Sequence, residues 1–561
     1  MASVSNASLD VGLLDREGTI AKAGFNRWLV PPAALAIHLC IGMAYGFSVF
    51  WKPLQGALVG ADGKALAECS AGATTFGAKS AGTLRALAAI DCNWSQFDVG
   101  WMYTLFFVVL GLSAAIWGGW LERSGPRKAG VVSALCWCGG LLLGALGVYI
   151  HQLWLMWLGA GIIGGIGLGL GYISPVSTLI KWFPDRRGMA TGMAIMGFGG
   201  GAMIGTPLAN LLMNYFKTPT SPGVWQTLVC FAAIYSVFML VGAFLYRVTP
   251  EGWVPEGWTA PASSNAMITA GNVHLKDAHK TPQFWLIWII LCMNVSAGIG
   301  IIGAASPMLQ ETFGGRLFGD AGTVFEKFTP DNAKAAATIG GAFVGLFSLF
   351  NIVGRFFWSS MSDKLGRKNT YFIFFILGIA CYALLALFAG NATAVMFALT
   401  MCIIASMYGG GFATVPAYLS DMFGTLFVGA IHGRLLTAWS TAGILGPFIV
   451  NYLHDTYKAG GTSAAQLYPS IFYVLLVLLA IGFVANFLVK PVESKWFMNK
   501  DAVSQVLAER HAANATGTKG SFGIGLGNLF AGPSIVAWLF VGIPMLWGAW
   551  QTLSNVLKLF G

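Results

Sequence analysis

The chain has 561 residues, of which 56% are apolar and only 10% are charged, whereas about 25% of residues are charged in ordinary soluble domains. Such a chain cannot cover a water-facing surface, which excludes soluble enzymes, secreted proteins and nucleic-acid-binding proteins. The net charge of +10 does not point to nucleic acid, because the basic residues cluster in short loops between apolar runs and so report orientation in a membrane. We therefore expect a polytopic protein of the lipid bilayer with no nucleic-acid partner.

Apolar runs of about 20 residues, each long enough to cross ~30 Å of hydrocarbon, predict six membrane spans, a polar linker and six more spans. A shorter apolar stretch from Ser534 to Trp550, interrupted by Pro544, is either a thirteenth span or a re-entrant segment. The predicted span starts lie near Trp28, Val99, Ala129, Leu153, Met189, Val224, Phe284, Ala335, Asn369, Val395, Phe427 and Tyr468.

The predicted fold is all-α, with two six-helix bundles joined by the linker. Basic residues follow spans two, four and eight, whereas the loops after spans three and nine carry essentially none. By the positive-inside rule the N-terminus and linker are cytoplasmic, and we expect a plasma membrane, the inner membrane in a bacterium. The predicted segments are an N-terminal tail (1–26), a first bundle (27–246), a linker (247–280), a second bundle (281–490) and a C-terminal extension (491–561).

The loop after span one is long, and long loops translocate largely regardless of their charge, so we place it outside the cytoplasm. Cys69 and Cys92 both lie in this loop. An oxidising compartment permits a disulfide there, but the spacing does not distinguish a bonded pair from two free thiols.

One short motif follows span two and recurs after span eight, with an acid, a base, a glycine and a further base at the same spacing. Two ordinary basic loops are the alternative explanation. Both copies resemble the loop motif of the major facilitator superfamily, which implies two six-helix halves around a central cavity and loops that act as conformational latches. The predicted latch residues are Glu122, Arg123 and Arg127 in the first copy, and Asp363, Lys364 and Arg367 in the second.

Arg355 is the outstanding ionisable residue within the apolar spans, where such residues are rare and indicate function. Its guanidinium stays charged and fits a carboxylate with two parallel hydrogen bonds. The alternative is snorkelling, since Asp363 marks the end of the span only about 12 Å away. No Asp or Glu lies at mid-membrane depth, so His38 is the one substitute for the carboxylate that a proton symporter usually needs. Anion exchange or uniport needs no such group, because the anion itself neutralises Arg355.

Four segments closely resemble the oxalate–formate antiporter family: 181–192, 280–285, 349–355 and 408–416. The resemblance covers about residues 27 to 490. It implies an aromatic cage that, with basic residues, holds the carboxylate; the alternative for each ring is a place in the core or against lipid. The cage positions implied by local motif are Tyr45, Tyr172, Phe198, Tyr408 and Phe412.

The sequence departs from that family in span eleven, where the family's oxalate exchanger carries a second cation, a lysine. The matching residue here is Trp439. One buried arginine balances one negative charge, and a dianion would leave about one unit uncompensated at low dielectric. This departure disfavours oxalate and favours small monocarboxylates, although the predicted substrate class comprises mono- and dicarboxylates similar to oxalate and formate. Arg434 lies nearer the cytoplasmic end, where we expect a gate or interface residue rather than a replacement cation.

These observations predict a secondary transporter of small organic anions that works by alternating access, with anion exchange as the expected mode. One alternative is proton-coupled monocarboxylate symport with His38 titrating, and another is a transporter-derived membrane sensor. We expect a monomer that needs no cofactor. An enzyme or a metal site is not expected, because the spans show no metal-ligand cluster, nucleophile–base pair or carboxylate dyad.

Overall fold

The computed structural model describes residues 12–55, 57–60, 65–73, 75–259, 267–317, 328–388, 393–459, 463–515 and 534–557. In this part of the chain the regular structure is helical, with only isolated β-bridges in the loops. The all-α prediction is therefore confirmed. The membrane helices are α1 (Arg27–Phe50), α2 (Gln96–Ser124), α3 (Pro126–Tyr149), α4 (Leu153–Trp182), α5 (Arg187–Phe216), α6 (Val224–Leu245), α7 (Pro282–Leu317), α8 (Pro330–Leu365), α9 (Arg367–Phe388), α10 (Ala394–Phe423), α11 (Val428–Leu435 and Thr437–Ala459), α12 (Ala464–Leu488) and α13 (Ser534–Leu557).

Twelve helices among the described residues, all of these except α11, are long and apolar enough to cross a membrane. The span starts agree with the apolar runs to within a few residues, apart from α8, which begins five residues early at Pro330. It begins there because the Thr329 side chain accepts a hydrogen bond from the backbone N–H of Asn332 and the proline occupies the first helical turn.

Helices α1–α6 form the N-half and α7–α12 form the C-half. The halves meet along two seams, where α5 packs against α8 and α2 packs against α11. Glycines allow close helix approach within each half: Gly165 lies against Val109 of α2, and a Cβ at Gly201 would lie 2.5 Å from the backbone of Gly42 in α1. These contacts place α1, α4 and α5 of the N-half beside α8, α10 and α11 of the C-half around one central region.

The C-terminal apolar stretch forms one continuous helix, α13, of 24 residues. At 1.5 Å per residue it is about 36 Å long, which makes it a thirteenth helix of spanning length rather than a re-entrant segment. It lies against the seam between α5 and α8, touching both halves and also α1. Val541 packs with Leu35 of α1, and Gly548 and Thr552 lie against Ile204 of α5 and Gly345 of α8.

The loop between α1 and α2 contains a helix at Phe76–Ala86, and a disulfide joins Cys69 to Cys92. The Cα atoms of these two residues are 5.0 Å apart. Of the two alternatives left open by the spacing, the structure therefore contains the bonded pair. The disulfide fixes the loop next to the start of α2.

The glycine of each repeated motif sits in the left-handed backbone region, with φ of 85° at Gly125 and 82° at Gly366. A residue without a Cβ adopts this conformation at little cost, which allows the tight turns from α2 to α3 and from α8 to α9. We call the end of the molecule that carries these two turns and the α4–α5 connection the basic end.

Candidate functional site

Six aromatic side chains from both halves form a single cluster, which we call the cage. Trp439 is fully buried at its centre. Its ring centroid lies 4.4 Å from that of Phe412 and 5.3 Å from that of Tyr172. The structure thus brings together the five rings that the resemblance implied, which are Tyr45, Tyr172 and Phe198 of the N-half and Tyr408 and Phe412 of the C-half, around Trp439, the residue at which the sequence departs from the family.

The two halves touch directly within the cage. The hydroxyl groups of Tyr45 and Tyr408 lie 3.2 Å apart, so one donates a hydrogen bond to the other across the interface. The Phe198 ring packs edge-on against Tyr45 and Tyr172, with centroids 5.0 and 5.4 Å apart. Ring edges are electropositive, so a cage of such edges suits an anion without adding net charge.

Local breaks in helix geometry position these rings. α1 changes from α-helical to tighter 3-10 turns over Gly42–Phe50, which carries Tyr45, and α11 is interrupted at Leu436, three residues before Trp439. On α10, Gly409 packs against α8 close to Arg355, where a Cβ would lie 3.0 Å from the arginine Cγ. The small residue therefore leaves room for the arginine side chain beside the rings.

Arg355 is fully buried against the cage, with its guanidinium carbon 5.5 Å from the centroid of Phe412. Nε donates to Oδ1 of Asn351 at 2.9 Å, and Nη1 donates to the carbonyl of Ile195 in the N-half at 3.4 Å. Nη2 has no hydrogen-bond partner among the described residues, and no described carboxylate lies within ion-pair distance. A fully buried guanidinium does not snorkel to the interface, so within the described residues its charge has no carboxylate to balance it.

Two further buried donors of the cage have no partner in the described part of the chain: the hydroxyl of Tyr172 and the indole Nε1 of Trp439. A buried donor left without an acceptor costs about 1–3 kcal/mol. An anion beside Arg355 would carry acceptor oxygens for such groups. The cage therefore combines one positive charge with neutral hydrogen-bond donors.

The two remaining polar candidates are engaged elsewhere. The ring nitrogens of His38 face the backbone carbonyls of Ala194 in α5 and Tyr172 in α4, so this side chain ties α1 to its neighbours. Nη1 of Arg434 lies 2.6 Å from the carbonyl of Leu275 and 2.9 Å from Nδ1 of His279, which holds the linker against α11. Neither arrangement directs a cation into the cage.

At the basic end, the acid of each repeated motif binds the first turn of a helix in the opposite half. Glu122 of α2 accepts a hydrogen bond from the N–H of Gly429 in α11 at 3.0 Å. Asp363 of α8 accepts hydrogen bonds from the N–H groups of Gly188 and Met189 in α5, both at 2.8 Å. A carboxylate at a helix N-terminus is stabilised by the unpaired N–H groups and the helix dipole.

Ion pairs add to both contacts. Glu122 pairs with Lys181 at 2.7 Å within the N-half. Asp363 pairs with Arg367 at 2.7 Å, and Arg367 also pairs with Asp421, which in turn binds Arg187 across the two halves at 2.9 Å. We call the set comprising Glu122, Lys181, Arg187, Asp363, Arg367 and Asp421 the gate.

The other motif cations lie outside the gate. Arg127 donates to the backbone carbonyls of Leu13 and Phe244 within the N-half. Arg123 and Lys364 are exposed and make no hydrogen bond or ion pair with the described residues. In the part of the chain that the structure describes, no group of three or more His, Cys, Asp or Glu side chains is arranged to hold a metal.

Sequence reasoning missed three side chains at the cage. Phe107 of α2 lies 5.3 Å from Trp439 between ring centroids, and Asn351 orients Arg355. His432 of α11 is buried with its ring 5.9 Å from that of Tyr172. No local pattern points to it, because α11 is interrupted at Leu436 between His432 and Trp439.

Comparison with known proteins agrees with this architecture. The chain is 28% identical over 284 residues to the oxalate:formate antiporter of Oxalobacter formigenes, a match covering 51% of this chain and 59% of that protein. It is 23% identical over 416 residues to the apicoplast pyruvate carrier 1 of Toxoplasma gondii, covering 65% of this chain and 71% of the relative.

Among solved structures, the chain superposes on the crystal structure of the human organic anion transporter MFSD10 with a TM-score of 0.52. The sequences are 14% identical, and the match covers 81% of this chain and 99% of the other, which supports a shared fold. The family model described as Major Facilitator Superfamily matches residues 69–447 and, in a second match, residues 295–561. The chain belongs to the Major Facilitator Superfamily.

Proposed function

We propose that this protein carries small organic anions with a carboxylate group across the membrane, exchanging one anion for another by alternating access. The observation that carries the proposal is the Arg355 guanidinium, which is fully buried among aromatic rings with Nη2 unpartnered in the described residues. A carboxylate is the anion whose two oxygens match the guanidinium fork. The similarity to an oxalate:formate antiporter and to a pyruvate carrier supports the same substrate class.

The charge of the cage favours monocarboxylates. Arg355 supplies one positive charge, and Trp439 offers a neutral N–H. A monocarboxylate neutralises the arginine, whereas a dianion in the same place leaves one negative charge buried without a partner. Small substrates such as formate, acetate, lactate and pyruvate therefore fit the electrostatics better than oxalate does.

Exchange follows from the same charge. When no anion is bound, the change between the inward-open and outward-open states must occur with an unpaired guanidinium in the protein interior, which is energetically unfavourable. A bound anion pairs with Arg355 and removes that free-energy cost. The seams and the gate supply the moving parts, because the hydrogen bonds of Glu122 and Asp363 close the basic end across both halves. We infer from the positive-inside rule that the basic end faces the cytoplasm of a plasma membrane.

Proton-coupled symport through His38 has less support, because its ring nitrogens contact backbone carbonyls of α5 and α4 and no substrate-facing group of the cage. Such contacts suit a side chain that holds helices together. A membrane sensor would bind the anion without moving it, so flux measurements separate that alternative from transport.

The test is counterflow in proteoliposomes with a labelled carboxylate and a panel of formate, acetate, lactate, pyruvate and oxalate. We expect counterflow with monocarboxylates in the wild type and its loss in Arg355→Gln. The matched control is Arg85→Gln, which removes an arginine that forms an exposed ion pair with Asp91 in the loop between α1 and α2. Flux of Arg355→Gln equal to the wild type would refute the site. Oxalate as the sole good substrate would refute the charge argument, and binding without flux would favour a sensor.

A further inference from the structure

His432 is a second ionisable side chain at the cage. It lies in the first segment of α11, is 1% exposed, and its ring centroid is 5.9 Å from that of Tyr172. Neither Nδ1 nor Nε2 has a hydrogen-bond partner among the described residues. His38, which packs on the same tyrosine with centroids 5.4 Å apart, has a backbone carbonyl at each ring nitrogen. Two buried histidines thus share one neighbour, and only His38 has protein acceptor atoms within hydrogen-bond distance of its ring nitrogens.

An unsatisfied buried imidazole is costly, because its nitrogens lose their hydrogen bonds to water and gain none inside the protein. Neutral imidazole has one donor and one acceptor nitrogen, and protonation makes both nitrogens donors. Tyr172 contacts both His432 and Trp439, so the imidazole is separated from the centre of the cage by a single ring. His432 therefore lies on the side of the proposed anion site that is closer to the basic end.

We propose that His432 is a titratable second cation of the cage, neutral beside a monocarboxylate and protonated when a dicarboxylate dianion binds. The second carboxylate of the dianion supplies the countercharge for the imidazolium, and one proton enters with each dianion. This proposal rests on the carboxylate-binding function proposed above. It goes further by making the substrate charge that the cage accepts depend on pH.

The charged groups packed around α11 are compensated without His432. On α2, Glu122 binds Lys181 of α4 at 2.7 Å and the N–H of Gly429. From the linker, Asp277 pairs with Lys280 at 2.8 Å, and Arg434 of α11 itself is held by the Leu275 carbonyl.

The neighbouring elements likewise offer no free countercharge. On α10, Asp421 lies between Arg187 and Arg367, at 2.9 and 3.0 Å. Tyr172 of α4, which packs against the His432 ring, carries no charge. His38 of α1, which packs on the same tyrosine, could only add a positive charge and would then repel an imidazolium. Arg355 of α8 is a cation as well. An entering dianion is therefore the group that can balance a proton on His432.

The proposal has a quantitative consequence. If the imidazole is neutral in the free protein and protonated in the dianion complex, linkage requires the affinity for the dianion to rise as pH falls, by up to about tenfold per pH unit. The affinity for a monocarboxylate does not follow this slope, because no proton accompanies it. The ratio of the two affinities isolates His432 from general effects of pH.

The experiment is calorimetric titration of the purified full chain with oxalate and formate between about pH 6 and pH 8, where both probes are fully ionised. For the wild type we expect the oxalate-to-formate affinity ratio to rise as pH falls, and buffers of different ionisation enthalpy to report about one proton taken up per oxalate. In His432→Gln the oxalate-to-formate affinity ratio should not change with pH, and it should equal the ratio that the wild type shows at the highest pH tested.

His151→Gln is the matched control, since His151 is also buried, stacks on Trp94 with centroids 4.3 Å apart and lies between spans. Burial lowers the pKa of His151, and this residue is not part of the cage, so its variant should keep the wild-type slope. A slope retained in His432→Gln would overturn the proposal. If that variant does not fold, zero proton uptake by the wild type overturns it equally, whereas failure of both anions to bind refutes the proposed function itself.

Discussion

The cage and the gate lie on the same helices but treat charge in opposite ways. In the gate, Asp421 contacts two arginines, and Glu122 and Asp363 each bind helix N–H groups of the opposite half. In the cage, Arg355 has no described carboxylate partner and Nη2 is left without an acceptor. The gate is complete without a ligand, and the cage is not. Because of this difference, we propose that the substrate binds in the cage and that the gate holds the basic end closed.

The two copies of the repeated motif within the gate also differ. Glu122 pairs with Lys181 of its own half. Asp363 belongs to a network in which Arg367 is shared with Asp421, and Asp421 reaches Arg187 of the other half. Because networks of buried charges cost more to break than single pairs, the C-half copy should dominate the closure of the basic end.

Removing the centre of this network should have the largest effect. Asp421→Asn leaves Arg367 and Arg187 without their shared carboxylate, and breaking a buried pair costs about 3–5 kcal/mol. We expect the basic end to open. The readout is maleimide labelling of a cysteine introduced by Thr191→Cys, in purified protein whose seven free cysteines are replaced by serine. Thr191 is fully buried and contacts Ala413 of the opposite half, so the introduced thiol should react only when the basic end opens. Unchanged labelling would show that Asp421 does not hold the gate.

Adding a charge to the cage should change its selectivity. Trp439→Lys places a second cation beside Arg355, so a dianion becomes fully compensated, and desolvated charge pairs are worth on the order of 3 kcal/mol. We expect the affinity for oxalate relative to formate to rise about 100-fold in competition counterflow. Trp439→Phe, which keeps a ring and adds no charge, is the control. An unchanged ratio in the lysine variant would place the substrate away from Trp439.

A smaller effect is expected at the N-half copy of the repeated motif, whose acid is Glu122. Glu122→Gln removes the charge that pairs with Lys181 but keeps an acceptor for the N–H of Gly429, so the closed state should lose about 1–3 kcal/mol. Thr191→Cys labelling should increase less than in Asp421→Asn. An equal or larger increase would reverse the ranking of the two copies.

The exposed motif cations should have the smallest effect. Arg123 and Lys364 lie at the surface without described partners, and exposed charges contribute about 0–1 kcal/mol. The double variant Arg123→Gln, Lys364→Gln should transport within about twofold of the wild type. A loss comparable to that of Glu122→Gln would show that these cations act as latches in another conformation.

Sequence alone was enough to predict the spans. It also drew attention to Arg355, because charges are scarce in the apolar runs, and to Glu122 and Asp363, because their motif recurs; the roles of these three residues stay predictions. Sequence was not enough for contacts that depend on packing between distant helices. Nothing local indicates that Glu122 meets α11 or that α13 lies on the α5–α8 seam. His432 was overlooked because its importance comes from two unsatisfied nitrogens, which only the surrounding helices reveal.

The contrast between the cage and the gate depends above all on Arg355 being the binding partner of the anion. The most direct measurement is calorimetric titration of formate into the purified wild type and into Arg355→Gln, without any transport step. The account predicts binding by the wild type and at least about a 100-fold weaker affinity in the variant, because a buried charge-assisted pair is lost. Equal formate affinity in the two proteins would contradict it.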